Sequence, residues 1–460
     1  MKYYIKVEMI FDIVLKIYNR YYLCVHCLGR MFSLLGSHTT NQERGNSLLL
    51  SLTMENHKQF LSNNNEHQKI ALVNLKILAE RASFTPAQKV LKNEGIKFSP
   101  LTTTQLCYLC QGIFSKIEIY GEEAINVLNG IEFNNFLVGS SPDSQIINRE
   151  DELKSQFEIL EAESFKSHFN REIGKFLSLK INKPPEFSTP DINLVFFFDF
   201  ESSLIELKIK SLFIYGRYNK FIRGIPQTHW SCRNCMGNGC ELCNFSGKQY
   251  ITSVEELINP EFVAESKATD SKFHGAGRED IDVKMLGEGR PFIIELRNPQ
   301  IRTLNLIKLE KTVNKTNKKK VKIQNLRLSN KKEVIYMKGE ASKTKKVYRA
   351  LTETENKISK KNFEEKVKKL KITFENKEIN QRTPIRVSHR RADKVRKKII
   401  HKIGGKYINS NLFEFIIETQ GGTYIKELIH GDSGRTSPSF SYVFELPLVC
   451  RELDVLEIVY

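Results

Sequence analysis

The chain has 460 residues, with 71 Lys and Arg against 53 Asp and Glu, a formal charge of +18. At 40% hydrophobic and 27% charged it has enough apolar surface for two or three packed domains of about 100–200 residues each, which excludes a disordered chain. The positive excess favours a polyanionic partner, nucleic acid or an acidic membrane surface.

The opening stretch, MKYYIKVEMIFDIVLKIYNRYY, is apolar but broken by Lys6, Glu8, Asp12 and Lys16. A membrane span needs about 20 predominantly apolar residues. This stretch therefore predicts a packed helix or strand, and neither a transmembrane segment nor a secretory signal is expected. Residues 66–82 place apolar side chains at helical spacing, and 116–165 read as mainly helical. FKSHFNREIGKFLSLKIN, from residue 165, predicts a further helix, stopped by the turn-rich KPPEFSTPD. INLVFFFDF (192–200) and LIELKIKSLFIYG (204–216) read as strands, the second by its alternation. Helices followed by strands predict an α+β unit, with a boundary near residue 222. The expected domains are thus 1–222 and 223–460.

Beyond the boundary, FIRGIPQTHW leads into a cysteine-rich loop at 232–243. SVEELI then starts a short helix, with Ser253 and Glu256 spaced as a capping box. Residues 311–346 approach low complexity and hold many of the lysines. They read as a solvated linker, with contact to a phosphate backbone as the functional alternative. An apolar strand, LFEFIIE, ends in Gly421-Gly422 and gives way to an amphipathic helix near Lys426, His430 and Arg435, an arrangement suited to an anion.

Eight of the nine cysteines fall into four CxxC pairs. A two-residue gap lets two thiolates point at one tetrahedral metal, so the pattern predicts zinc in a reducing compartment and not a disulfide framework. Cys24, Cys27, Cys107 and Cys110 form one expected site; Cys232, Cys235, Cys240 and Cys243 form a second, tighter one. Four cysteine ligands leave no open coordination position, so the metal would be structural.

FHGAGREDIDVKMLGEGRPFIIEL (273–296) combines glycines, clustered acids and a following strand. It matches neither the Walker pattern nor the dinucleotide fingerprint. Read from the residues alone, Asp280 beside Arg278 is explained by a surface salt-bridge loop, the more frequent arrangement, or by a carboxylate held for chemistry. HRRADKVRKK (389–398) supplies Arg390 and Arg391, suited to phosphate forks. KTKKVYRALTET places Tyr348 in a basic, strand-like run, where it suits base stacking or ordinary packing.

At GREDIDVKMLGEGRPFIIEL and GTYIKELIHGDSGRTSPS the chain resembles the tenth family of pseudouridine synthases, the archaeal and eukaryotic Pus-ten type. The resemblance extends to RTPIRVSHRRADKVRKK, RGIPQTHWSCRNCMGNGC, CVHCLGRMFSLLG and CYLC, and so covers nearly the whole chain. It implies a catalytic domain with a mixed central sheet, preceded by an α/β, THUMP-containing accessory domain with a zinc site, the THUMP-like part lying at 166–222. The implied reaction isomerises uridine to pseudouridine at positions 54 and 55 in the T-loop of tRNA, without an organic cofactor. Asp280 would be the nucleophile. Tyr348 would stack on the base and help remove the C5 proton, and Lys426 would pair with Asp280. Arg278, Arg390, Arg391 and Arg435 would hold RNA.

The implied partner is the T-arm and elbow of tRNA, with other structured RNAs as further candidates. A monomer in the nucleus or cytoplasm, away from membranes, is expected. A non-catalytic zinc-containing RNA-binding or processing factor is the alternative. A THUMP-bearing methyltransferase or thiolation enzyme lacks support, since no glycine-rich cofactor loop follows a strand.

Overall fold

The computed structural model describes residues 9–36, 38–99, 105–198, 203–340 and 344–459, apart from the side chains of Ser203 and Arg390. It divides into two units, Met1–Ile209 and Lys210–Tyr460.

In the first unit, helices including Ile10–Arg20, Asn41–Phe60, Asn65–Lys76 and Phe165–Ile181 accompany a three-stranded sheet. The strands are β1 (Phe136–Ser141), β2 (Ile192–Phe198) and β3 (Ser203–Ile209), with β1 parallel and β3 antiparallel to β2. β1 lies inside the 116–165 stretch expected to be mainly helical. Its FLVGSS run is too short to show a period against the helices on either side. Phe165 and Phe169 pack on Phe196 and Phe198, with the Phe169 and Phe198 rings meeting edge-on at 4.8 Å.

The second unit is built on a ten-stranded sheet. Its strands are β4 (Leu212–Lys220), β5 (Asp270–Gly275), β6 (Lys284–Arg297), β7 (Val321–Ser329), β8 (Lys345–Glu353), β9 (Lys377–Arg382), β10 (Val395–Asn409), β11 (Leu412–Gln420), β12 (Thr436–Ser437) and β13 (Val449–Val459). They run in the order β12-β9-β10-β11-β8-β13-β6-β4-β7, with β5 added on β6. β13 pairs with β6 in parallel, through Asp454–Lys284 and Val455–Met285. The other recorded pairings within this sheet are antiparallel, so the expected mixed central sheet is present. Helices Val254–Ser266, Leu306–Thr316 and Lys360–Phe374 bury Phe262, Val313 and Phe363 in its core. The Ser253 hydroxyl caps the first of them, accepting from the Glu256 amide at 3.2 Å.

Two expectations change. The run 204–216 is two strands, β3 and β4, and they belong to different units, so the division falls between Ile209 and Lys210, ahead of residue 222. Residues 311–346 are not a linker. Val313, Val321, Ile323, Val334 and Met337 are buried, and most of the described lysines lie on exposed faces of the helix ending at Thr316, of β7 and of helix Lys331–Glu340, whereas Lys346 on β8 is buried.

Candidate functional site

The loop between β5 and β6 carries the clustered acids. Gly277 starts it at φ +73°, in the left-handed region that favours glycine. Behind it lies a buried polar knot. Arg290 on β6 gives Nε to Glu279 at 2.8 Å and Nη1 to the Ala276 carbonyl at 2.9 Å. Tyr218 on β4 donates its hydroxyl to Glu279 at 2.9 Å and receives the Gln227 amide at 2.8 Å. Lys220, fully buried, donates to the carbonyls of Ile225, Asp280 and Ile281 at 3.0–3.3 Å. Burial lowers the Lys220 pKa and raises that of Tyr218 well above a free phenol. Glu279 therefore serves as the counter-ion of the knot, and its neighbour Asp280 is turned to the other side. Further along, Gly287 has φ +54°, and a Cβ there would sit 1.9 Å from the Leu456 carbonyl oxygen. Only glycine lets β6 pass β13 so closely.

Asp280 faces an open cleft and is 35% exposed at its side chain. Across the cleft, the 3₁₀ segment Ile385–Arg390 presents Arg386, whose Nη1 lies 2.9 Å from Asp280 Oδ2. The same guanidinium donates Nε to the buried Glu427 at 2.6 Å, from helix Ile425–His430. One planar fork thus spans two carboxylates with separate nitrogens in a fixed geometry, which the single nitrogen of a lysine does not reproduce. Tyr348 and Lys346 project from the same face of β8 into the cleft, beside Val283, Val387, Leu453 and Val455. Burial pushes the Tyr348 phenol up to about 12 and brings the Lys346 ammonium down to about 7, with Arg290 adding to the effect on the lysine. Tyr348 stays protonated at neutral pH, whereas Lys346 exchanges its proton there.

The cysteines converge as two tetrads, and all nine cysteines are free thiols. In a tetrahedral site with metal–sulfur bonds of about 2.3 Å, sulfurs stand about 3.8 Å apart. Cys24 and Cys110 are 3.7 Å apart; Cys232–Cys240, Cys235–Cys243 and Cys240–Cys243 are 3.9, 3.8 and 3.7 Å apart. Both tetrads therefore have the spacing of a metal site, far beyond the roughly 2.05 Å of a disulfide. Three of the four thiols are buried in the first tetrad and one in the second.

Family comparison bears on the two readings left open for the acidic loop. The family model described as Pus10, C-terminal, matches residues 213–459, more than half of the chain. The chain belongs to the Pus10 family. A second model, Pus10 THUMP domain, archaeal, matches residues 120–196. The Methanocaldococcus jannaschii protein named tRNA pseudouridine synthase Pus10 is 41% identical over 96% of this chain and 93% of its own length. Proteins of the same name from Methanothrix thermoacetophila and Pyrococcus furiosus are 36% and 34% identical, over 95% and 98% of this chain and 91% and 98% of their own lengths. A chain from the solved Cbf5-Nop10-Gar1 complex overlaps 45% of each chain at 18% identity and TM-score 0.27, too loosely to argue from. This Pus10-family chain is thus an isomerase, a pseudouridine synthase, with the expected α+β fold. The THUMP match begins earlier than 166–222, taking in β1, which pairs with β2, and it ends at residue 196.

The Pus10-type cleft gathers Asp280, Tyr348, Lys426, Arg278 and Arg391, as the motifs led one to expect. One pairing differs. Lys426 Nζ lies 2.5 Å from Asp282 Oδ2, and Arg386 takes the place beside Asp280. Residues 280–282 form a turn, so Asp280 and Asp282 do not share a strand face and reach different cations. Arg278 lies over the Trp230 ring, its guanidinium 5.7 Å from the ring centre. Arg391 donates to the Tyr424 hydroxyl at 2.8 Å. Arg435 donates to Asp393 and to the Thr383 carbonyl, and so braces the segment that carries Arg386. The side chain of Arg390 lies outside the described part. Arg386, Glu427, Lys346 and the Glu279–Arg290 pair were not singled out from sequence. Arg386 stands in RTPIRVSHRR, and Lys346 immediately precedes Val347-Tyr348, so both motifs held a signal.

Proposed function

We propose that this chain isomerises uridine to pseudouridine in the T-loop of tRNA, at positions 54 and 55, with Asp280 as the nucleophile. The observation that carries the reading is a carboxylate opening onto a cleft, oriented by one arginine and flanked by a tyrosine that stays neutral. The target uridine is stacked in its loop and must be flipped out to enter. Asp280, oriented by Arg386, attacks or stabilises the sugar side as the N1–C1′ bond breaks. The detached base turns and rejoins the sugar through C5, displacing Asp280 wherever it has bonded to C1′; the C5 proton then leaves and N1 takes up a proton, so the base gains and loses one proton each. Atoms and electrons balance without a redox partner or organic cofactor. Tyr348 at about 12 favours stacking and hydrogen bonding over service as a free phenolate. Lys346, near 7, is suited to take up the C5 proton.

RNA is held by Arg278, Arg390, Arg391 and the basic run through Lys398, at the T-arm and elbow, by phosphate and shape contacts. Other structured RNAs would fit the same surfaces. Zinc in both cysteine tetrads would fix their loops and take no part in the chemistry. No described helix is long and apolar enough to cross a membrane. A monomer acting in the nucleus or cytoplasm agrees with this reading.

The test is incubation with an unmodified tRNA transcript, followed by carbodiimide mapping of pseudouridine. Product is expected in the T-loop. Asp280→Asn should abolish it while tRNA binding stays within about threefold, the change expected where one transition-state contact is lost and ground-state binding is kept. Full activity in that variant, or product only outside the T-loop, refutes the proposal.

A further inference from the structure

A second cleft adjoins the catalytic one on the other side of Asp280. Arg278, Glu279, Asp280 and Arg386 line both, and Pro226, Thr228 and Trp230 form its far wall. It encloses about 160 Å³ against about 150 Å³, so a planar group that fits one is matched in size to the other. Trp230 is the one tryptophan of the chain, and it is half-buried. Its backbone is fixed on both sides: the Gln249 amide donates to its carbonyl at 2.9 Å, and the His229 amide donates to Glu255 at 3.2 Å. Tyr250 meets the indole edge-on at 5.8 Å. The next turn of chain carries Cys232, so the cysteine tetrad anchors the segment. Arg278 holds its guanidinium 5.7 Å from the indole centre, a loose contact.

A large aromatic that is rigidly mounted, partly open and faced by a planar cation is the pattern used to stack single-stranded bases. The two clefts share a wall, as the positions of two consecutive nucleotides on one RNA strand would require. We propose that the cleft between Trp230 and Arg278 is a second nucleobase site, which takes the base next to the uridine being isomerised. Arg278 then lies between the two sites, where the linking phosphate runs. This inference rests on the reading of the first cleft as the uridine site. It assigns Trp230 to choosing which uridine in a run enters that cleft.

The chain's single tryptophan makes the test direct. Asp280→Asn protein is titrated with a T-arm hairpin RNA, and with the same hairpin carrying an abasic ribose on the 5′ or the 3′ side of the target uridine. The intact hairpin should quench Trp230 fluorescence. One of the two abasic hairpins should lose most of that quench and bind roughly tenfold more weakly, the usual loss for one stacked base. Trp230→Ala, added to Asp280→Asn, should weaken binding of the intact hairpin to a similar degree and no longer distinguish the abasic one, while Trp230→Phe restores the distinction. Equal quench and affinity with all three hairpins overturns the proposal, and so do losses from Trp230→Ala and the abasic site that simply multiply. If the wild-type protein forms no pseudouridine in either the hairpin or full tRNA, the underlying reading of the first cleft fails and this site with it. Product without any Trp230 response removes the second site alone.

Discussion

Glu279→Gln removes the carboxylate that faces Arg290 Nε at 2.8 Å and Lys220 Nζ at 4.0 Å, all with side chains at most 2% exposed. Two cations are then left in a dry site. Loss of one partner from a buried pair costs about 3–5 kcal/mol. The glutamine carbonyl can still accept from Tyr218 or Arg290, which argues for the low end, about 3 kcal/mol. That is a large share of the roughly 5–15 kcal/mol that holds a domain folded. With a urea slope of about 3 kcal/mol per molar, the unfolding midpoint should fall by about 1 M. Trp230 lies in the second unit, so its fluorescence follows that unit alone while the chain is kept whole. Activity should fall with stability, because the same knot holds the Asp280 carbonyl through Lys220. A midpoint within about 0.3 M of wild type, equivalent to less than about 1 kcal/mol, would refute the claim that Glu279 is the counter-ion of the knot.

Arg386→Lys keeps the charge but loses the planar fork that fixes Asp280 against Glu427; single-turnover rates should drop at least about tenfold with the fold retained, and an unchanged rate would exclude the orienting role. Lys346 is held near 7 in the fold and returns to its ordinary value on unfolding, so between about 7 and 10.5 the unfolded chain binds the extra proton and stability rises with pH. Below about 7 both states are charged and the burial cost is felt in full, so Lys346→Met should stabilise by a few kcal/mol at pH 6 and by less at pH 9, and urea curves giving equal gains would contradict the shift. Metal analysis should find two zinc ions per chain, and a chelator should strip the second, more exposed tetrad first; release in the opposite order would contradict the burial difference.

The cysteine tetrads were legible because each CxxC pair is a local signal and its chemistry is symmetric. The strand at Ile192–Phe198 and the joint at Gly421-Gly422 were legible for a similar reason, since period and turn residues are written within a few positions. The division at Ile209–Lys210 was hidden. The alternation of LIELKIK passes into the apolar run LFIY across only Lys210 and Ser211, with no glycine or proline to mark where the chain leaves one sheet for another. The lysines at 311–346 masked apolar positions that build β7 and its flanking helices. Glu279 and Asp280 are adjacent acids with the same local context, and only Arg290, Tyr218 and Lys220, brought in from other strands, decide which is buried. The choice between Lys426 and Arg386 as the partner of Asp280 was likewise settled by tertiary placement, with the reach of a guanidinium fork as its physical basis.

β13, the strand furthest along the chain, lies between β8, which bears Tyr348, and β6, which follows the Asp280 loop. The sheet is therefore two half-sheets joined by a strand that is made after the other nine. While the chain is being synthesised, the cleft at Asp280 lacks the wall given by Leu453 and Val455 until residues 449–459 emerge, so a partly made protein can present basic surface before that cleft is complete.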